Sequence, residues 1–231
     1  MNYDHWRNYA RGWVFHFIGK PDIAYAAYAE AFRIDPADSR PARHLAAISA
    51  DRKRWEMAES WFEKVLALQP EDADTWFNLG FVREHAGKAE AAIAAFGEAV
   101  RLKPAQDRAW YGKGLAHARL GQHDAAAAAL REAASLQPMN GNAYYQWGMA
   151  LHHAHRPDEV KAVVEKLVGF DPKRAKQLAL DTDADGNLHV VFGTYDGREI
   201  SWYPGSYFEE QRCDLIVWET GLGGRRGGVR D

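Results

Sequence analysis

Residues 68–80, LQPEDADTWFNLG, hold a stop signal and a start signal side by side. Proline cannot continue a helix and disfavours helical geometry in the residue before it, so the chain must turn at Pro70. Asp72 then offers a side-chain oxygen to the free N–H groups of a new helix, and Trp76 and Leu79 begin an apolar stripe at helical spacing. The same proline recurs as Pro36, Pro70, Pro104, Pro138 and Pro172, each 34 residues after the last. Two places after each stand Asp38, Asp72, Gln106, Asn140 and Arg174, mostly good N-cap residues, and Asp4 holds the same phase ahead of the first copy. Units of 34 residues therefore begin at His5, Ser39, Ala73, Asp107 and Gly141.

Within the units, small residues recur at position 8 (Gly12, Ala46, Gly80, Gly114, Gly148) and position 20 (Ala24, Ala58, Ala92, Ala126, Val160). Bulk recurs at position 24 with Tyr28, Phe62, Phe96, Leu130 and Val164. This pattern predicts two antiparallel helices per unit, in close approach where position 8 faces position 20, with position 24 filling the space beside the contact. The turn between them falls near position 15, where Gly19, Gly87 and Gly121 can take a left-handed conformation at low cost. One such hairpin has too little interior to stand alone, so neighbours must stack into a solenoid.

In these residues the chain resembles the tetratricopeptide repeat family, whose pattern is W-x2-L-G-x2-Y, then A-x3-F, then P. Unit three carries Trp76, Leu79, Gly80, Ala92, Phe96 and Pro104, with Arg83 where Tyr is usual; the resemblance spans residues 5 to 174. It implies a mainly α fold, a right-handed α-solenoid of five helix-turn-helix repeats whose first helices line a concave groove for a partner peptide or helix. Helical spacing selects positions 2, 5, 9, 12 and 13 as the stripe beside the helix-pair interior. The partner-binding residues expected there are Tyr9, Trp13, Phe17, Arg43, Phe77, Phe81, Arg108, Tyr111, Tyr145 and Met149. Aromatic and Arg side chains outside a core are the types that anchor interfaces. The Lys and Asn that hold C-terminal carboxylates in some relatives are absent, since Tyr9, Trp13, His44, Asp74 and Asn78 occupy those places.

The repeat breaks after Pro172, and Ala175–Leu180 reads as a short closing helix of an array over 1–180. Beyond it Leu188, Val190 and Phe192 alternate with smaller or polar residues, residues 195–198 form a turn signal, and Ile200 and Trp202 resume the alternation. Asp214–Glu219 reads as a third strand and Gly221–Gly228 as a loose tail. Residues 181–231 are thus expected to form a small β-containing cap on the last repeat. They carry ten acids and five bases, against 22 and 24 before them, so −5 faces +2.

Composition limits the remaining functions. A net charge of −3 over 231 residues argues against general nucleic-acid binding, which draws on many Lys and Arg contacts to phosphate. The single Cys213 permits no internal disulfide, the opening MNYDHWRNYARGW has no basic stretch followed by an apolar run, and no segment is apolar enough to span a membrane. A cytoplasmic protein with a protein or peptide partner, without membrane or nucleic acid, is expected; a self-assembling homo-oligomer that uses its own C-terminal segment is the alternative. No enzyme, cofactor or metal is expected. The calcium-loop start DTDADG at 181–186 lacks the Glu its twelfth position needs, which is Phe192, so it reads as an Asx-rich turn. His152, His153 and His155 stand at a helix end without supporting carboxylates, and GLGGRRGG lacks the Lys-Ser/Thr of a phosphate loop. A metal-sensing or enzymatic accessory role for this last element ranks third, because 51 residues hardly enclose a pocket alone.

Overall fold

The structure, a computed structural model, describes residues 3–167, 175–182, 188–194, 198–202 and 215–219. Ten helices among them follow in antiparallel pairs: α1 Tyr3–Phe17 with α2 Pro21–Ile34, α3 Ser39–Asp51 with α4 Trp55–Leu68, α5 Ala73–His85 with α6 Ala89–Leu102, α7 Asp107–Arg119 with α8 His123–Leu136, and α9 Gly141–His153 with α10 Pro157–Leu167. Four strands complete the described chain: β1 Ala175–Thr182, β2 Leu188–Thr194, β3 Arg198–Trp202 and β4 Leu215–Glu219. The fold is mainly α, a solenoid of 34-residue helix pairs.

The caps explain where the helices begin. Asp38 accepts from the Arg40 N–H, Asp72 from the N–H groups of Asp74 and Thr75, and Asn140 from the Ala143 N–H. Gln106 makes no cap bond; its amide instead donates to Asp74 Oδ1 at 3.0 Å, tying two units together. The opening stretch is locked from both sides, because the Trp76 indole N–H also donates back to the Pro70 carbonyl at 2.8 Å. Trp110 repeats this bond to Pro104 at 2.9 Å. Each pair turns through a left-handed residue at position 15: Gly19, Gly87 and Gly121, with φ of 71°, 78° and 71°, and in the other two units Lys53 and His155, with φ of 56° and 57°.

Packing differs in one detail from the sequence pattern. A Cβ added at Gly12 would lie 2.7 Å from the Tyr28 ring, at Gly80 2.7 Å from Phe96, and at Gly114 2.5 Å from Leu130. The position 8 glycine therefore seats the bulky side chain of position 24, and the position 20 alanine is a secondary neighbour, reached at Gly114 through the Ala126 carbonyl at 3.3 Å. Phe96 is gripped twice, since a Cβ at Gly112 of the following pair would lie 2.6 Å from its Cζ. Phe96 thereby links two neighbouring pairs, and Tyr28, Leu45, Leu79, Phe96 and Leu130 are all fully buried.

The chain forms two compact units, Met1–Gln137 and Pro138–Asp231, so the fifth pair groups with the strands, whereas the sequence pattern places the division after Leu180. In the second unit α9 packs on α10, with Ala143, Leu151, Val160 and Val163 buried, and α10 touches β1. The expected closing helix over 175–180 is corrected: β1 occupies Ala175–Thr182 and pairs antiparallel with β2. Six residues cannot repay the cost of a helix nucleus, and Leu178, Leu180 and Thr182 already alternate at the period of a strand. The sheet order is β1-β2-β3-β4, all neighbours antiparallel, with Leu180 opposite Val190, Val190 opposite Trp202, and Trp202 opposite Leu215. Cys213, Asp183 to Asn187 of the DTDADG region, and residues 220–231 lie outside the described residues.

Candidate protein-binding surface

In the first unit the expected stripe residues lie on α1, α3, α5 and α7. Tyr9 is half-buried rather than open: its ring lies 5.7 Å from Tyr28 and 5.8 Å from His44, its hydroxyl is 3.2 Å from His44 Nε2, and the Arg40 guanidinium sits 5.3 Å above it. His44 stacks on Tyr28 at 4.5 Å with His16 edge-on at 6.0 Å. Burial holds the His44 pKa below its ordinary value, and the nearby His16 and Arg43 add to that. Burial also pushes the Tyr28 phenol up to about 12, with Tyr9 contributing. Sequence reasoning did not bring these four rings together. The available signal was the 35-residue spacing of Tyr9 and His44, one repeat plus one residue.

Arg43 is committed to the connector between units: it pairs with Asp72 at 2.7 Å and donates to Gln69 Oε1 at 2.7 Å. Burial alone would raise the Asp72 pKa, but the Thr75 hydroxyl and N–H, with Arg43, hold it below the usual carboxylate range. Phe77 leans on Phe96 at 5.9 Å and supports the Arg108 guanidinium at 5.1 Å. No carboxylate pairs with Arg108 among the described residues, so its charge is held on a ring and left facing solvent. Phe81, one turn beyond Phe77, is 41% exposed and lies 4.1 Å from His85. Tyr111 is half-buried, and burial together with Glu84 raises its pKa.

The expected stripe also contained Glu84, which the structure buries: Arg119 donates to its carbonyl at 3.0 Å and to its carboxylate at 3.3 Å. Trp13 and Phe17 stand apart from these contacts, stacked on each other at 5.9 Å and strongly exposed. Tyr145 and Met149 lie half-buried on α9 in the second unit, where burial raises the tyrosine pKa. The arrangement supplies apolar rings and, at Arg108, a guanidinium without a carboxylate partner among the described residues, suited to non-covalent recognition. Among the described residues no group of His, Cys, Asp and Glu could hold a metal, and no helix is long and apolar enough to cross a membrane.

Antiparallel helix pairs of one period, three of them burying the bulk of position 24 against a glycine, define a helical-repeat protein, a class that works by presenting extended surfaces. The Tetratricopeptide repeat profile matches residues 62–107, 77–140 and 111–174. With the structural register above, the chain is a tetratricopeptide repeat protein. Among solved structures, a MamA protein aligns with TM-score 0.70 at 24% identity, over 73% of this chain and 92% of that one. MamA of Desulfovibrio magneticus RS-1, in a form from residue 41 to the end, aligns with TM-score 0.67 at 21% identity, over 73% and 96%. YrrB, a TPR protein with an unusual peptide-binding site, aligns with TM-score 0.63 at 19% identity, over 71% and 85%. These likenesses establish the fold. No curated protein matches the chain.

Proposed function

We propose that the chain is a non-catalytic adaptor that holds a partner peptide or helix along the first helices of its repeats, with Phe77, Phe81, Arg108 and Tyr111 as the centre of the site. The observation that carries this reading is Arg108, fixed on Phe77 and without a carboxylate partner among the described residues, with the exposed Phe81 one helical turn beyond Phe77. A guanidinium already desolvated on one face by a ring loses little conformational freedom on binding, and aromatic and Arg anchors dominate interface energies. Tyr9 and Arg43 flank this centre, and Tyr145 and Met149 are assigned the same role in the fifth repeat. The peptide-binding site of YrrB, a protein of the same fold, is consistent with this use of the repeats.

Selecting peptides from a random display library against the full chain, then titrating the best peptide against Phe81→Ala and Arg108→Ala, tests the proposal. Each substitution is expected to weaken binding by about 1–2 kcal/mol or more, roughly tenfold. Selected peptides that bind both variants like the parent would place the site elsewhere. The alternative, self-assembly through the acidic segment from 181, is favoured by one observation: β4 is the edge of the described sheet, and an open edge strand is a template for pairing with another chain.

A further inference from the structure

Helix α1 carries a second apolar face that neither the repeat core nor the proposed groove uses. Tyr3 is 77%, Trp13 56% and Phe17 81% exposed, and Trp6, Val14 and Ile18 are exposed beside them. Repeat packing does not ask for these residue types. At position 2 the other units have Arg40, Asp74, Arg108 and Asn142 where the first has Trp6, and at position 13 they have Asp51, His85, Arg119 and His153 where it has Phe17. Val14 differs: its counterparts Ile48 and Val82 are buried by the preceding pair, and among the described residues nothing covers Val14.

The face is self-complementary. Measured from Ala10, bulky residues stand at equal distances in both directions: Tyr3 and Phe17 seven residues away, Trp6 and Val14 four away. Arg7 and Trp13 are each three away, a cation and a ring. Seven residues are close to two helical turns, so these positions share one side of α1. An antiparallel copy of α1 crossing at Ala10 would set Tyr3 against Phe17, Trp6 against Val14, and Arg7 on Trp13, each contact made twice, which is the pattern a two-fold interface requires. The small central residue lets the helices approach. At about 150–250 Å² per aromatic, scaled by exposure, with the aliphatic side chains added, the face presents roughly 700 Å², near the roughly 800 Å² per partner of a standard stable interface.

We infer that the protein forms a two-fold dimer through α1, with a second copy of the chain as the occupant of this face. Trp13 and Phe17 then serve dimerisation and not the groove. The test is sedimentation equilibrium of the full chain over a wide concentration range, beside Trp6→Ser/Phe17→Ser. The parent should sediment as a dimer and the variant as a monomer, with unchanged circular dichroism, because both side chains are exposed. A second readout does not depend on the variant's folding: with Cys213→Ser as background, Ala10→Cys should give a disulfide-linked dimer on mild oxidation, since the residue faces its own copy across the axis, whereas Glu90→Cys should not. A parent that is monomeric throughout overturns the inference. So does a dimer that survives the double substitution while Ala10→Cys stays uncrosslinked, which would point to another surface. Monomeric parent protein that instead co-sediments with phosphatidylglycerol vesicles, and loses this in the double variant, would make a lipid surface the occupant and equally overturn it.

Discussion

The three glycines nearest Phe96 allow one chemical change, Gly→Ala inside a helix, to be read with opposite signs. In the middle of a helix the change alone should stabilise by about 0.5–1 kcal/mol, because alanine has less backbone freedom to lose. Gly97, within α6, has no atom within 4 Å of the site its Cβ would occupy, so Gly97→Ala should realise that gain. At Gly112 the new Cβ would lie 2.6 Å from Phe96 Cζ and 2.8 Å from Cε1, and the ring cannot retreat, because Gly80 already stands under its other atoms, where a Cβ would lie 2.7 Å from Cδ1 and Cε1. Overpacking of this kind costs about 1–3 kcal/mol, which exceeds the helix gain and leaves Gly112→Ala less stable by about 1–2 kcal/mol. The two variants should therefore differ by about 2–3 kcal/mol in urea unfolding followed at 222 nm, the usual helix band. Adding Phe96→Leu should reduce the penalty of Gly112→Ala, since the shorter side chain leaves room, and such coupling is expected only between residues in contact. If Gly112→Ala proves as stable as Gly97→Ala, Phe96 is not shared between the two pairs and the account of how neighbouring repeats join is wrong.

Tyr28 is fully buried and its hydroxyl has no partner among the described residues, so Tyr28→Phe should raise stability by about 1 kcal/mol; a loss in thermal melting would reveal a partner for that oxygen. Asp72→Ala removes bonds to the N–H groups of Asp74 and Thr75, the Thr75 hydroxyl and Arg43, and should cost about 1–2 kcal/mol in urea unfolding, more than Asn140→Ala, whose cap is a single bond. His44 has a folded pKa below its ordinary 6.5, so the unfolded chain takes up the proton first as pH falls. Its contribution to stability is fully present above pH 6.5 and is lost as pH falls through the folded value. The difference in unfolding free energy between the parent and His44→Gln should accordingly shrink on acidification; a constant difference from pH 8 to about 5 would show that His44 titrates normally.

Much of this fold was legible because its signals are local and repeated. Proline at every joint, a cap two residues on and a small residue at position 8 recur in phase, and each acts within its own turn or hairpin. The partner of the position 8 glycine was not legible, since a pattern of small residues does not say which side chain leans across them; the backbone had to place Tyr28, Phe96 and Leu130 there. The stripe fared unevenly for the same reason. Helical spacing puts Phe81 and Glu84 on neighbouring positions, but only the spatial arrival of Arg119 buries one and leaves the other open. Ala175–Leu180 misleads because six residues carry too few periods to separate helix from strand, and what decides is pairing with β2, which lies outside the six-residue window.

The indole bonds from Trp76 to Pro70 and from Trp110 to Pro104 close two connectors with residues that come after them in the chain. The corresponding positions in the other units are Asn8, Ala42 and Tyr144, none of which carries an indole. On the ribosome, then, the bends at Pro70 and Pro104 remain unlatched until the first turn of the next helix has emerged, while the bend at Pro36 never receives such a latch. At these two joints the array is sewn from behind: the third and fourth repeats each fix the angle at which their predecessor ends, and an interruption of synthesis there leaves the joint open.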